Sequence, residues 1–235
     1  MMNVETVIVI PARGGSKNIP RKNLQLIKGK PLISYAIEIA HKVKLSNKVI
    51  VSTEDDEISE IGQQYGAEVI KRPHELAEDH INLLPVNQHV LKILENNNIY
   101  PKIIISLQPT APFIEPTSIE DAIRFQQETK CDSVCSICKV QHNHPYWVKN
   151  IDPISNKLSD FTNVNGNSFL QKQDLPVCYS YTGGFYIRKR NILKSGTGKG
   201  LGNDSRGYIV TEKESLDIDY PIDLEFFRFL MDRNQ

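Results

Sequence analysis

Short runs of β-branched residues alternate with segments of helical periodicity through the first 138 positions of this chain. The apolar runs lie at Thr6 to Ile10, Lys48 to Ser52, Ala67 to Ile70, Lys102 to Leu107 and Asp132 to Cys138. Between the first two, Leu32, Ile33, Ala36, Ile37, Ala40 and Val43 recur at helical spacing behind Pro31, and proline is favoured at a first helical position. Further helical segments are expected near residues 55–65, 84–97 and 117–129. Strands and helices in this order predict an α/β domain, a mostly parallel sheet flanked by helices.

The pattern changes after Lys139, where Pro145, Pro153 and Asn-rich turns break any regular alternation as far as about Pro176. We read about 140–180 as an arm inserted within a single domain spanning 1–235. The regular pattern then resumes with a strand at Gly184 to Arg188, a Gly-rich loop from Ser195 to Gly202, a strand at Tyr208 to Thr211 and a helix opening near Pro221.

Composition narrows the function classes. The 235 residues suffice for one substantial core. Lys and Arg total 28, as do Asp and Glu, so no net positive charge favours nucleic acid as a partner. There is neither a secretory leader pattern nor an apolar stretch of membrane-spanning length, which predicts a cytoplasmic protein with no membrane partner. Cys131, Cys135, Cys138 and Cys178 are too few and too clustered for a disulfide scaffold. The C-x₃-C-x₂-C spacing of the first three could hold a cluster in a loop, but here it falls on a strand pattern and reads as small buried thiols.

The strongest chemical signal follows the first strand. Ala12-Arg13-Gly14-Gly15-Ser16-Lys17-Asn18-Ile19-Pro20-Arg21-Lys22-Asn23 holds two glycines and four cations. Such a loop lets backbone N–H groups and the Ser16 hydroxyl converge on an anion. It is neither the Gly-x-x-x-x-Gly-Lys-Ser/Thr loop nor the Gly-x-Gly-x-x-Gly fingerprint, which disfavours the usual ATPases and hydride-transfer cofactors. Backbone dipoles contribute about 0.3–2 kcal/mol to a bound anion. A cation at ~4 Å in an intermediate dielectric contributes roughly 4 kcal/mol before desolvation. Arg13, Lys17 and Lys22 should therefore dominate binding of a triphosphate. Far along the chain, Asp217 and Asp219 are two apart, so an extended segment would turn both carboxylates to one face, fit to share Mg²⁺. The competing reading is that Asp219 or Asp223 serves the start of the following helix.

The segment Ile10 to Lys17, followed by Ile19-Pro20-Arg21-Lys22-Asn23, resembles the opening signature of the CMP-sialic acid synthetases, the acylneuraminate cytidylyltransferases. Three more segments resemble that family in the same order: Lys71 to Asp79, Leu107-Gln108-Pro109-Thr110-Ala111-Pro112, and Ser215 to Asp219. The resemblance implies a Rossmann-like nucleotidyltransferase fold, a homodimer whose arm reaches the partner's site, and Mg²⁺-dependent transfer of CMP from CTP to the anomeric hydroxyl of an acidic nine-carbon sugar. It implies a nucleotide site at Ala12, Arg13, Gly14, Ser16, Lys22, Asn23 and Arg72, with Arg72 reading the pyrimidine. It implies sugar contacts at Gln108, Thr110, Thr182 and Tyr186, and metal ligands at Asp217 and Asp219. Arg13, Lys22, Asp217 and Asp219 would carry the catalysis.

Three departures from the family pattern bear on the acceptor. Phe113-Ile114 follows where an arginine is common, Trp147 stands in the stretch where the family often has a lysine for the sugar, and Thr182 replaces an asparagine. Together they favour a relative of sialic acid, such as legionaminic or pseudaminic acid. His142 and His144 are candidate contacts in the arm. The alternatives are a cytidylyltransferase for the eight-carbon acid Kdo, a noncatalytic nucleotide-binding module, and transfer to a sugar 1-phosphate. The group that takes the hydroxyl proton stays open.

Overall fold

The structure, a computed structural model, describes residues 5–233. In chain order the elements are β1 (Thr6–Pro11), β2 (Leu26–Ile27), β3 (Lys30–Pro31), α1 (Leu32–Lys42), β4 (Lys48–Thr53), α2 (Asp56–Gln64), β5 (Glu68–Lys71), α3 (Leu83–Asn96) and β6 (Ile103–Leu107). They continue with α4 (Pro116–Thr129), β7 (Ser133–Lys139), β8 (Lys149–Ile151), β9 (Leu158–Asp160), β10 (Tyr179–Lys189), α5 (Arg190–Ser195), β11 (Ser205–Ile209) and α6 (Pro221–Arg233).

Seven strands form one sheet in the order β11-β7-β10-β6-β1-β4-β5. β1 pairs in parallel with β4 and β6, β4 with β5, and β7 with β11, while β10 runs antiparallel between β6 and β7. Six strands therefore share one direction. This is the expected mostly parallel sheet with one reversed strand.

The two-residue period of β1 divides the core. Ile8 and Ile10 pack against α1, α2 and α4 on one face, and Val7 and Val9 against α3 and α5 on the other. A third cluster joins Ile19 of the first loop and Ile27 of β2 to Phe113, Ile218 and, from α6, Leu224 and Phe227. From β1 the chain winds outward through β4 and β5, then crosses back to place β6 on the opposite side of β1. That reversal opens a crevice beyond the carboxyl ends of β1 and β6, where α/β sheets take their ligands.

The structure departs from the sequence reading at three places. β10 begins at Tyr179 rather than Gly184, because a bulge between the Tyr181–Ile137 and Tyr186–Cys135 pairs makes its centre read as a turn. The last sheet strand runs from Ser205 to Ile209 rather than from Tyr208 to Thr211, and α5 precedes the Gly-rich loop. Residues 140–178, between β7 and β10, carry the β8–β9 hairpin and short 3₁₀ turns outside the main sheet. No helix among the described residues is long and apolar enough to cross a membrane.

Candidate active site

Each loop leaving a parallel strand near the crevice delivers a polar group to it. Arg13 and Glu54 follow β1 and β4, and Arg72 and Gln108 follow β5 and β6. The ladder continues past the strand ends through Ala12 N–H to Ser52 O at 3.0 Å and Arg72 N–H to Thr53 O at 3.0 Å, so these loop starts are held at fixed spacing. Arg13, Arg72 and Gln108 help wall a cavity of about 320 Å³, with Glu54 behind its lining. Arg13, Lys22, Asn23, Arg72, Gln108, Thr110, Tyr186, Asp217 and Asp219 all line it.

Acidic side chains hold the first loop. Glu54 accepts the Gly14 N–H at 2.7 Å and, through its other oxygen, Arg72 Nε at 3.0 Å and Nη2 at 2.9 Å. Asp55 caps α2 by accepting the Ile58 N–H at 3.0 Å and also receives the Arg21 guanidinium. A Cβ at position 14 would stand 2.3 Å from Asp55 Oδ2, so only glycine lets the loop lie this close. Asp79 receives Arg13 Nη1 at 2.8 Å and pairs with Lys17 at 3.0 Å, and these two cations hold its carboxyl below the usual range. Asn23 donates to the Arg13 carbonyl at 2.9 Å, bracing the loop from within.

The carboxylate pair closes the far side. Ile218 inserts into the α6 cluster while Asp217 and Asp219 both turn to the cavity, the alternation expected of an extended segment. The Ile218 N–H bonds the Thr110 carbonyl at 2.9 Å, fastening this segment to the loop after β6. Lys22 donates to the Ile218 carbonyl at 2.7 Å and to Asp219 Oδ1 at 3.0 Å. Asp223, not Asp219, serves the start of α6, accepting the N–H groups of Asp219 and Tyr220 at 3.0 and 2.7 Å. The β10 bulge places Gly183 in the left-handed region (φ 76°), where a Cβ would approach Asp217 Oδ2 to 2.9 Å.

Of the nucleotide and sugar residues expected from sequence, Ala12, Gly14, Ser16, Lys17 and Thr182 lie outside this cavity. Ala12 is buried in the core, and Gly14 spends its N–H on Glu54. Ser16 lines a neighbouring depression beside Lys17 and Asp79. Thr182 is buried, its hydroxyl donating to Ser136 Oγ at 2.7 Å and accepting from the Gly184 N–H at 3.2 Å, so it holds the bulge in shape.

Residues 7–227 match a family described as cytidylyltransferase. The chain belongs to the cytidylyltransferase family. It is 32% identical over 231 residues to an N-acylneuraminate cytidylyltransferase of Escherichia coli O18:K1:H7, covering 95% of this chain and 51% of that protein. It thus spans about half the length of that relative. It is 30% identical to a CMP-N,N'-diacetyllegionaminic acid synthase of Legionella pneumophila, covering 97% of this chain and 96% of that protein. A solved CMP:2-keto-3-deoxy-manno-octonic acid synthetase complexed with CTP shares the fold at a TM-score of 0.72 and 21% identity, covering 98% of this chain and all of that one.

In this cytidylyltransferase the buried electrostatics centre on Asp217 and Arg72. Burial pushes the Asp217 carboxyl up, the Thr110 hydroxyl opposes it, and the Asp219 charge pushes it further. Its Oδ1 is enclosed and receives no hydrogen bond among the described residues. Burial also lowers the Arg72 guanidinium, with the Glu54 charge acting against that. Among the described residues no three His, Cys, Asp or Glu side chains cluster tightly enough to hold a metal. A divalent cation would have to lean on Asp217, Asp219 and oxygens of a substrate. Hard oxygen donors, one of them buried without a partner, fit that arrangement.

Glu54, Asp55 and Asp79 are the site residues that sequence reasoning missed as contributors. Glu54 and Asp55 sit between a strand and a helix, where acids are expected for capping alone. Their partners Gly14 and Arg21 lie 40 and 34 positions away.

Proposed function

We propose that this cytidylyltransferase transfers CMP from CTP to the anomeric hydroxyl of a nonulosonic acid, an acidic nine-carbon 2-keto-3-deoxy sugar, with release of pyrophosphate. The observation that carries this reading is the Lys22 ammonium, 3.0 Å from Asp219 across one cavity. It joins a cationic loop suited to a triphosphate to a carboxylate pair suited to a cation. Arg72 lines the same cavity and would donate to O2 and N3 of cytosine.

In this reading Arg13 and Lys22 offset the charge that builds on the α-phosphate and the departing pyrophosphate. Ala12, Gly14, Ser16 and Asn23 support that grip, Gly14 and Asn23 by fixing the loop. Gln108, Thr110 and Tyr186 face the cavity and would orient the sugar, while Thr182 shapes that end from beneath. Bound at Asp217 and Asp219, Mg²⁺ would supply charge screening of the phosphate oxygens. The hydroxyl attacks phosphorus in line with the leaving pyrophosphate, and positioning carries most of the rate.

We propose also that the protein is a cytoplasmic homodimer whose 140–180 arm reaches the partner's site. Ile151, Ile154, Leu158, Phe161 and Leu170 are exposed apolar residues of that segment, the mark of an interaction surface. All four cysteines are free thiols, in keeping with a reducing compartment. Light scattering should give twice the chain mass, and a monomer would refute this part.

The test is Mg²⁺-dependent pyrophosphate release from CTP against N-acetylneuraminate, legionaminate, pseudaminate and Kdo. Release with a nine-carbon acid is expected. Release with Kdo alone, or with none despite saturable CTP binding, would overturn the acceptor class or the activity.

A further inference from the structure

The Glu54 carboxylate is shared between two jobs. One oxygen accepts the Gly14 N–H at 2.7 Å, and the other grips the Nε and Nη2 edge of Arg72 at 3.0 and 2.9 Å. The side chains of the pair are only 4% (Arg72) and 9% (Glu54) exposed. Thr53 pairs with Lys71 across β4 and β5, so Glu54 and Arg72 leave adjacent strands at the same level. A guanidinium is planar, and holding its Nε edge fixes the plane and aims Nη1 along one direction. Arg72 is itself a lining residue of the cavity. Without the grip, a flexible arginine would have to be ordered at each encounter with nucleotide, at an entropic cost to affinity.

We propose that Glu54 is a positioning residue that couples the two halves of the nucleotide site, aiming Arg72 at the base and fixing the Gly14 backbone beneath the phosphates. This rests on the reading of CTP as the nucleotide. It goes beyond that reading by making base selection depend on a side chain that touches no substrate. Cytosine offers an acceptor at N3 where uracil carries a hydrogen, so a well-aimed guanidinium discriminates between them and a loosely held one does not.

Glu54→Gln keeps one acceptor oxygen but turns an amide donor toward either Gly14 N–H or Arg72. Glu54→Asp keeps the charge and falls short by one methylene. The preference for CTP over UTP in kcat/KM should fall about tenfold or more in Glu54→Gln, the factor that one charge-assisted hydrogen bond is worth. KM for CTP should rise, with kcat at saturation and KM for the acceptor little changed, and Glu54→Asp should lie in between. Combined with Arg72→Met, Glu54→Gln should cost no further selectivity.

A purely structural ion pair would lower the melting temperature and leave selectivity intact; that result, or additive losses in the double variant, overturns the proposal. Should Glu54→Gln fail to unfold cooperatively, Glu54→Asp alone decides, through its CTP to UTP ratio. A wild-type protein that releases no pyrophosphate from CTP overturns the functional reading and this inference together. A wild type selective for CTP beside an equally selective Glu54→Gln overturns only the inference.

Discussion

Replacing Asp217 with asparagine should make the free protein more stable while abolishing its activity. Asp217 Oδ1 is enclosed without a donor among the described residues, and burial and Asp219 both disfavour its charge. A buried polar atom left unpaired costs about 1–3 kcal/mol, and more when charged. Thr110 and Lys22 offset part of this. Asparagine keeps the size and an acceptor for Thr110 but removes the charge, so a net gain of about 1 kcal/mol is expected, or about 2–4 °C in melting temperature for a chain of this length. The assay is calorimetric unfolding of both proteins in EDTA, then with Mg²⁺ and CTP. A ligand at a hundred times its Kd adds about 2.7 kcal/mol. The wild type should therefore overtake a variant that has lost its cation, and the order should reverse. A variant less stable than wild type in EDTA would refute the reasoning, since it would mean that the Asp217 charge supports the fold rather than waiting for a cation.

Gly14→Ala would put a methyl 2.3 Å from Asp55 Oδ2, a carboxylate already fixed by Arg21 and by capping α2. Urea unfolding should show a loss of about 1–3 kcal/mol and the KM for CTP should rise; an unchanged midpoint and KM would contradict this clamp. Asp79→Asn should free Arg13 and Lys17 for the triphosphate and lower the KM for CTP at low salt, with the effect shrinking at high salt. A raised KM would instead make Asp79 part of the binding surface. Burial pushes the Glu214 carboxyl up, but bonds from Ser118, from the N–H groups of Thr211 and Glu115, and from the Thr211 hydroxyl outweigh it and leave it below its ordinary 4.5. Its contribution is present above pH 4.5 and lost as pH falls through the lower folded value, so acid titration of stability should be shallower in Glu214→Gln. Parallel curves would remove Glu214 from the acid response.

Local signals carried much of this fold, and the limits of such signals explain the rest. The helices α1 to α4 and the strands β1 and β4 to β7 are legible because apolar periodicity is read within ten or so residues. The bulge in β10 is not, because Gly183 and Gly184 suggest a turn unless Ser136, Thr182 and Asp217 are known to surround them. β11 lies at the sheet edge, where Arg206 and Gly207 dilute the strand pattern. Within the site, cations in a glycine-rich loop announce an anion, and paired aspartates a cation. The carboxylates that hold those cations in the free protein do not announce themselves. Glu54 and Asp79 are defined by partners 18 to 66 residues distant, and one sequence carries no record of which distant pairs meet.

The central claim is that the anomeric hydroxyl of a nine-carbon acid attacks the α-phosphate of CTP. The most direct measurement uses an acceptor labelled with ¹⁸O at that hydroxyl and mass spectrometry of both products. Label in the bond between sugar and CMP, with none in pyrophosphate, is the predicted result. CMP released without a sugar conjugate, or a conjugate that has lost the label, would contradict it.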